Sequence, residues 1–139
     1  LSQWEELEKS GQFRFTPPIH VLIAFAKALD ELREEGGIVA RSKRYKVNHT
    51  ACLKGMRALG FKEYVPESLQ GHIITSFLYP KDSFDFEKFY DLLNDKGFVI
   101  YPGKITKADC FRIGHIGHIF EKDTKSLVNA ISEVMEELN

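Results

Sequence analysis

The stretch between residues 97 and 118 constrains the fold more than any other part of the chain. It contains a short apolar run at 98–101, a Pro102-Gly103 break, a polar loop and a second short run at 110–113. Apolar runs of this length that are bounded by glycine and proline are typical of β-strands. We therefore predict two short strands belonging to a small sheet.

Arg112 interrupts the second of these runs. Because side chains alternate along a strand, Phe111 and Ile113 share one face, while Cys110 and Arg112 share the other. A guanidinium on a strand, followed by glycine, suits bidentate binding of a carboxylate, phosphate or phosphonate. The alternative is a structural arginine that extends from a sheet edge or pairs with a glutamate. Spacing leaves both interpretations open.

Other polar residues near Arg112 give weaker signals. Lys104 and Lys107 either steer an anion toward it or are solvated loop lysines. His115 and His118 lie three residues apart in a glycine-containing segment without helical signal, so we interpret them as loop histidines and predict no metal site. No nucleophile–base order and no phosphate-binding glycine loop is visible, so spacing alone indicates no catalytic residue.

The remaining pattern predicts an α+β fold. Amphipathic helices are expected at 19–35, at 38–59, from Asp82 or Ser83 to 96, and at 123–138, with a short charged helix at 2–9 and further strands at 61–65 and 72–79. This order predicts a two-layer α/β sandwich, in which a small, mostly antiparallel sheet of three to four strands carries helices on one face. The strand at 72–79 is apolar on both sides, so we expect a second layer on the other face, supplied either by this chain or by a missing domain.

Composition excludes several classes of protein. A length of 139 residues suits about one domain, and a net charge of -1 without a basic run argues against nucleic acid as a partner. The two cysteines lack metal-site spacing, which favours a reduced, cytoplasmic setting. The longest apolar run, at 21–26, is too short to cross a bilayer, so we predict no membrane partner.

Three stretches together resemble a known family. They are FRFTPPIHVLIAFAKALDELREEGG, ITSFLYP and GFVIYPGKITKADCFRIGHIG. They resemble the C-terminal part of the 2-aminoethylphosphonate:pyruvate transaminases, class V aminotransferases of the fold-type I pyridoxal-phosphate enzymes. The resemblance implies the class V C-terminal small domain, pyridoxal phosphate as cofactor and a cytoplasmic homodimer.

The resemblance also implies roles for individual residues. The family arginine that binds the anionic group of the substrate falls on Arg112. The family threonine that reaches the cofactor phosphate across the dimer interface falls on Thr16. Relatives usually carry asparagine where this chain has His115. The Schiff-base lysine of the family has no counterpart here, so the resemblance implies no catalytic residue within these 139 residues.

The resemblance further implies a domain organisation. Residues 1–18 correspond to the end of the large cofactor domain and a connecting arm, and residues 19–139 to the small domain. Since the chain begins with Leu1, we expect an excised piece that has the large domain as its partner. The implied reaction moves an amino group from an aminoalkylphosphonate to pyruvate, giving phosphonoacetaldehyde and alanine. The alternatives are an alanine:glyoxylate or serine:pyruvate aminotransferase, and a separate anion-binding or dimerising module without chemistry.

Overall fold

The computed structural model describes residues 1–103 and 108–138, which form two compact units, Leu1–Ile38 and Val39–Asn139. The family boundary expected between residues 18 and 19 stays a prediction. None of the helices in the described ranges is long and apolar enough to span a membrane.

The first unit contains two helices, α1 (Ser2–Ser10) and α2 (Ile19–Glu34). Gly11 ends α1 in the left-handed conformation at φ 69°, and its amide donates to the Leu7 carbonyl at 2.9 Å. Such a terminus favours glycine because it has no Cβ. The extended arm with Pro17 and Pro18 leads directly into α2.

Helix α2 exposes an unusual amount of apolar surface. None of its residues is buried. Six large apolar side chains on it are 41–66% exposed: Ile19, Val21, Leu22, Ile23, Phe25 and Leu29. Trp4, Phe13 and Phe15 in the same unit are also exposed. Contiguous apolar surface of this kind drives association.

We therefore expect the isolated chain to self-associate through α2. Ile23→Lys should shift sedimentation toward the monomer, because it places a charge where apolar surface would be buried. Glu31→Lys on the same helix is the matched control, since it adds a lysine without removing apolar surface. A wild-type chain that sediments as a monomer at high concentration contradicts the prediction.

The second unit is built on a three-stranded sheet. Its strands are β1 (Ile74–Leu78), β2 (Tyr101–Pro102) and β3 (Cys110–Gly114), in the order β1-β3-β2. Both pairings are antiparallel. The predicted small antiparallel sheet is confirmed.

Two predicted strands are shorter than the apolar pattern indicated. The segment at 98–101 contributes only Tyr101 to the sheet, because the Phe98 amide donates to the Leu93 carbonyl at 2.9 Å and closes the preceding helix instead. The segment at 61–65 forms a single bridge from Glu63 to Phe77. The backbone amide of Phe98 therefore closes the preceding helix, although the apolar pattern assigned this residue to a strand.

Helices cover one face of the sheet, as predicted. They are α3 (Gly37–Ala58), α4 (Phe86–Asp95) and α5 (Glu121–Glu137). Phe111 of β3 is fully buried, with its ring centroid 5.5 Å from that of Phe61, 5.9 Å from Phe77 and 5.4 Å from Phe89. On β1, Thr75 and Phe77 are buried, whereas Ile74 on the other face is 44% exposed. The described residues place their core on the Phe77 face and supply no second layer on the other face, so cover by a missing domain stays a prediction.

Two helices begin at residues other than those predicted. Helix α4 begins at Phe86, because the Asp85 side chain accepts a hydrogen bond from the Lys88 amide at 3.0 Å. Helix α5 begins at Glu121, and Asp123 lies inside its first turn, where its carboxylate accepts from the Phe120 amide at 2.8 Å. An acidic residue can satisfy free amides from either position, so its presence alone does not locate the first residue.

Candidate functional site

Arg112 lies in the middle of the sheet, on the face opposite the aromatic core. The register places it between Ser76 of β1 and Tyr101 of β2. Phe111 and Ile113, its neighbours in sequence, are buried in the core. The predicted alternation along β3 is thus confirmed.

The Arg112 guanidinium is held from one side. Its Nη2 donates a hydrogen bond to the Pro102 carbonyl of β2 at 3.0 Å. Its Nε is shielded from solvent and has no hydrogen-bond partner in residues 1–103 and 108–138. A shielded donor without a partner costs free energy, and a bound anion is the kind of group that relieves this cost.

Backbone packing beside Arg112 depends on Gly103. The Gly103 amide donates to the Cys110 carbonyl at 2.9 Å. A Cβ at position 103 would overlap the Cys110 carbonyl and thiol. Glycine therefore lets the chain leaving β2 lie directly against β3, one residue after the Pro102 carbonyl that holds Arg112.

The thiols do not have the character of nucleophiles. Burial raises the pKa of Cys52 to about 12. Burial also raises the pKa of Cys110, although the charge of Arg112 opposes this shift. Because the reactive form is the thiolate, neither thiol suits covalent catalysis near neutral pH.

The other predicted site residues lie elsewhere. Thr16 is exposed on the arm before α2 and belongs to the first unit, whereas Arg112 belongs to the second. An exposed hydroxyl can donate one hydrogen bond to a phosphate, so Thr16 fits a single contact with a cofactor phosphate. Lys104 and Lys107 lie outside the described residues.

His115 lies in the loop directly after β3, as interpreted, and it is buried there. It is 1% exposed, and its Nε2 lies 2.8 Å from the Thr75 hydroxyl. Burial, with further contributions from the charges of His49 and His72, lowers the pKa of His115 to about 4. His118 is exposed and packs edge-on against Phe120.

His115 is one of three histidines in contact. The ring of His49 on α3 lies 5.2 Å from that of His115 and 5.0 Å from that of His72. Sequence reasoning missed this cluster, although one signal was present. His115 extends the alternation of Phe111 and Ile113 and therefore belongs on the core face.

The chain is similar in sequence to part of several curated transaminases. It is 55% identical over 132 residues to a 2-aminoethylphosphonate–pyruvate transaminase of Bacteroides fragilis, an alignment covering 94% of this chain and 36% of that protein. A protein of the same name from Phocaeicola vulgatus is 53% identical over 133 residues, covering 95% and 37%. No family model matches.

The fold agrees with the sequence comparison. Pyridoxamine–pyruvate aminotransferase of Mesorhizobium loti superposes with a TM-score of 0.86 at 21% identity, over 99% of this chain and 36% of that one. The helix-covered sheet that presents Arg112 thus belongs to the class V aminotransferase fold. Within that class, the chain belongs with the C-terminal part of the 2-aminoethylphosphonate–pyruvate transaminase family. It spans 36–37% of the length of the curated relatives reported above.

Proposed function

We propose that the complete protein is a pyridoxal-phosphate-dependent transaminase that moves the amino group of 2-aminoethylphosphonate to pyruvate, and that this chain supplies its substrate-anion site. The products are phosphonoacetaldehyde and alanine. The observation that carries this proposal is Arg112, fixed at Nη2 by the Pro102 carbonyl and unpartnered at Nε among the described residues. Identity of 53–55% to two transaminases that carry this name supports the choice of substrates.

Arg112 binds and orients the substrate in this proposal. Its planar fork of donors fixes both the position and the rotation of a carboxylate or phosphonate. The Pro102 carbonyl limits rotation of the guanidinium, so the binding direction is set before the anion arrives. Pyridoxal phosphate, when bound, supplies the group through which the amino nitrogen is exchanged.

We assign Thr16 to the cofactor. Its hydroxyl, which is exposed, donates to the cofactor phosphate of the second subunit in a homodimer in this proposal. The exposed apolar side chains of α2 suit burial against the large cofactor domain. The complete enzyme is then a cytoplasmic homodimer whose cofactor lysine lies in the large domain.

The proposal is tested with the protein encoded by the complete reading frame that contains this chain. Incubation with 2-aminoethylphosphonate and pyruvate should yield alanine in proportion to phosphonoacetaldehyde. Alanine with glyoxylate, and serine with pyruvate, serve as competing substrate pairs. Faster turnover of either competing pair overturns the substrate assignment, and a frame that starts near Leu1 overturns the enzyme assignment.

We also expect that the 139-residue chain alone does not bind pyridoxal phosphate covalently. A covalent cofactor linkage needs a positioned, deprotonated lysine amine. Among the described lysines, Lys96 is ion-paired with Glu133 at 2.7 Å, and this hydrogen bond raises its pKa, which is the opposite of what the linkage needs. The measurement is mass spectrometry after borohydride reduction. A stoichiometric adduct of cofactor mass contradicts the expectation.

A further inference from the structure

Two histidines face each other in a groove of the second unit. His49 lies on α3, and His72 lies in the segment before β1. The Nδ1 atoms of the two rings are 3.4 Å apart. The same groove is lined by Gln70, Glu67 and Arg57.

The hydrogen bonds around His49 fix its tautomer. The Gln70 amide nitrogen donates to the Val65 carbonyl at 2.8 Å, so the carbonyl oxygen of Gln70 faces His49. That oxygen lies 3.2 Å from Nε2 of His49 and accepts a hydrogen bond from the Nε2–H group. The Nδ1 atom of His49 therefore carries a lone pair that points toward His72.

The distance between the two Nδ1 atoms matches a shared metal ion. A hydrogen bond from N–H normally joins heavy atoms about 2.7–3.2 Å apart, so 3.4 Å is long for one. Two imidazole nitrogens bound tetrahedrally to zinc at about 2.0–2.1 Å lie about 3.3–3.4 Å apart. The His49–Gln70 contact is also the type of outer hydrogen bond that orients metal-binding histidines.

We propose that the Nδ1 atoms of His49 and His72 chelate one divalent transition-metal ion of the zinc class. Water completes the coordination, because no group of three or more ligating side chains occurs within residues 1–103 and 108–138. His115 does not take part, since its Nε2 is engaged with Thr75 at 2.8 Å. The site is independent of the proposed transaminase activity.

The imidazole nitrogens, and not the neighbouring charged side chains or the cysteine thiols, hold the metal ion. Arg57 is paired with Glu63 at 2.7 Å and with Glu67 at 3.3 Å. Lys46 and Lys54, which are cationic, also line the groove, so side-chain charge does not attract the metal ion. The attraction comes from the neutral imidazole nitrogens. The buried thiols compete poorly for zinc near neutral pH, because burial raises the pKa of both cysteines.

The test is calorimetric titration of the chain with Zn²⁺ at pH 7.5. The wild type should bind one ion per chain, and His72→Gln should weaken binding at least tenfold, because one of two nitrogen ligands is lost. His118→Gln removes an exposed histidine outside the pair and is the matched control, expected within twofold of wild type. In nitrogen-15 spectra the Nδ1 signals of His49 and His72 should shift on zinc addition.

Either of two results overturns the proposal. One is the absence of saturable zinc binding to a folded wild-type chain. The other is equal affinity in His72→Gln and the wild type, which would place the ion elsewhere. Because His72 is only half-buried, its replacement should leave the circular dichroism spectrum unchanged. If that spectrum is lost, the nitrogen-15 shifts of the wild type decide, and unshifted Nδ1 signals in zinc-bound chain refute the site.

Discussion

Arg112→Lys in the complete enzyme should lower kcat/KM about ten- to a hundredfold, although the charge is conserved. Lysine offers one mobile ammonium in place of a planar fork, so one of two charge-assisted hydrogen bonds to the anion is lost. Such a loss costs about 1.5–3 kcal/mol. The Pro102 carbonyl, which accepts from Nη2 at 3.0 Å, would also lose its orienting role. Folding and cofactor binding should persist.

Arg57→Lys is the matched control for this substitution. Arg57 lies on α3, its side chain is 46% exposed, and it pairs with the carboxylates of Glu63 and Glu67. Steady-state kinetics with 2-aminoethylphosphonate and pyruvate, beside a cofactor titration, measure both variants. If Arg112→Lys also stayed within about twofold of wild type, Arg112 would be a structural arginine.

The stability of the chain should fall by about 3 kcal/mol as acid protonates His115. Its pKa is lowered from 6.5 to about 4, chiefly by burial. The unfolded chain therefore takes up the proton first, and the stabilisation is lost progressively from about pH 6.5 down to about pH 4. Each unit of difference in pKa corresponds to about 1.4 kcal/mol.

His115→Asn isolates this effect from other titrating groups. Asparagine does not titrate, and because its amide reaches only as far as the imidazole Nδ1, the 2.8 Å contact of Nε2 with the Thr75 hydroxyl is lost and stability falls equally at every pH. Urea unfolding at several pH values should show a smaller loss of stability in this variant than in wild type, whereas His118→Asn should behave as wild type. The same loss in all three proteins would show that His115 does not set the pH dependence.

The sequence indicated those features that depend on neighbours along the chain. Alternation placed Arg112 on the face opposite Phe111, and the register of β3 confirms this. Helix α2 ends at Glu34, one residue before the predicted end at 35, and Gly36 follows it at φ 102°. Local periodicity and glycine conformation determine both features, so one sequence suffices.

Other features depend on contacts between distant residues. His49, His72 and His115 come together only because α3 packs on the sheet, and nothing in their spacing indicates this. Likewise, β2 is short because the Phe98 amide is used to close α4, a competition that an apolar pattern does not reveal. The Nε of Arg112, which has no hydrogen-bond partner within residues 1–103 and 108–138, likewise depends on the packing of distant residues.

The most direct measurement is a crystal structure of the complete enzyme soaked with 2-aminoethylphosphonate. We expect phosphonate oxygens about 2.7–2.9 Å from Arg112 nitrogens, with Nε among the donors. The Pro102 carbonyl should still accept from Nη2. An anion bound by other residues, with no contact to Arg112, would contradict the assignment of this chain as the substrate-anion site.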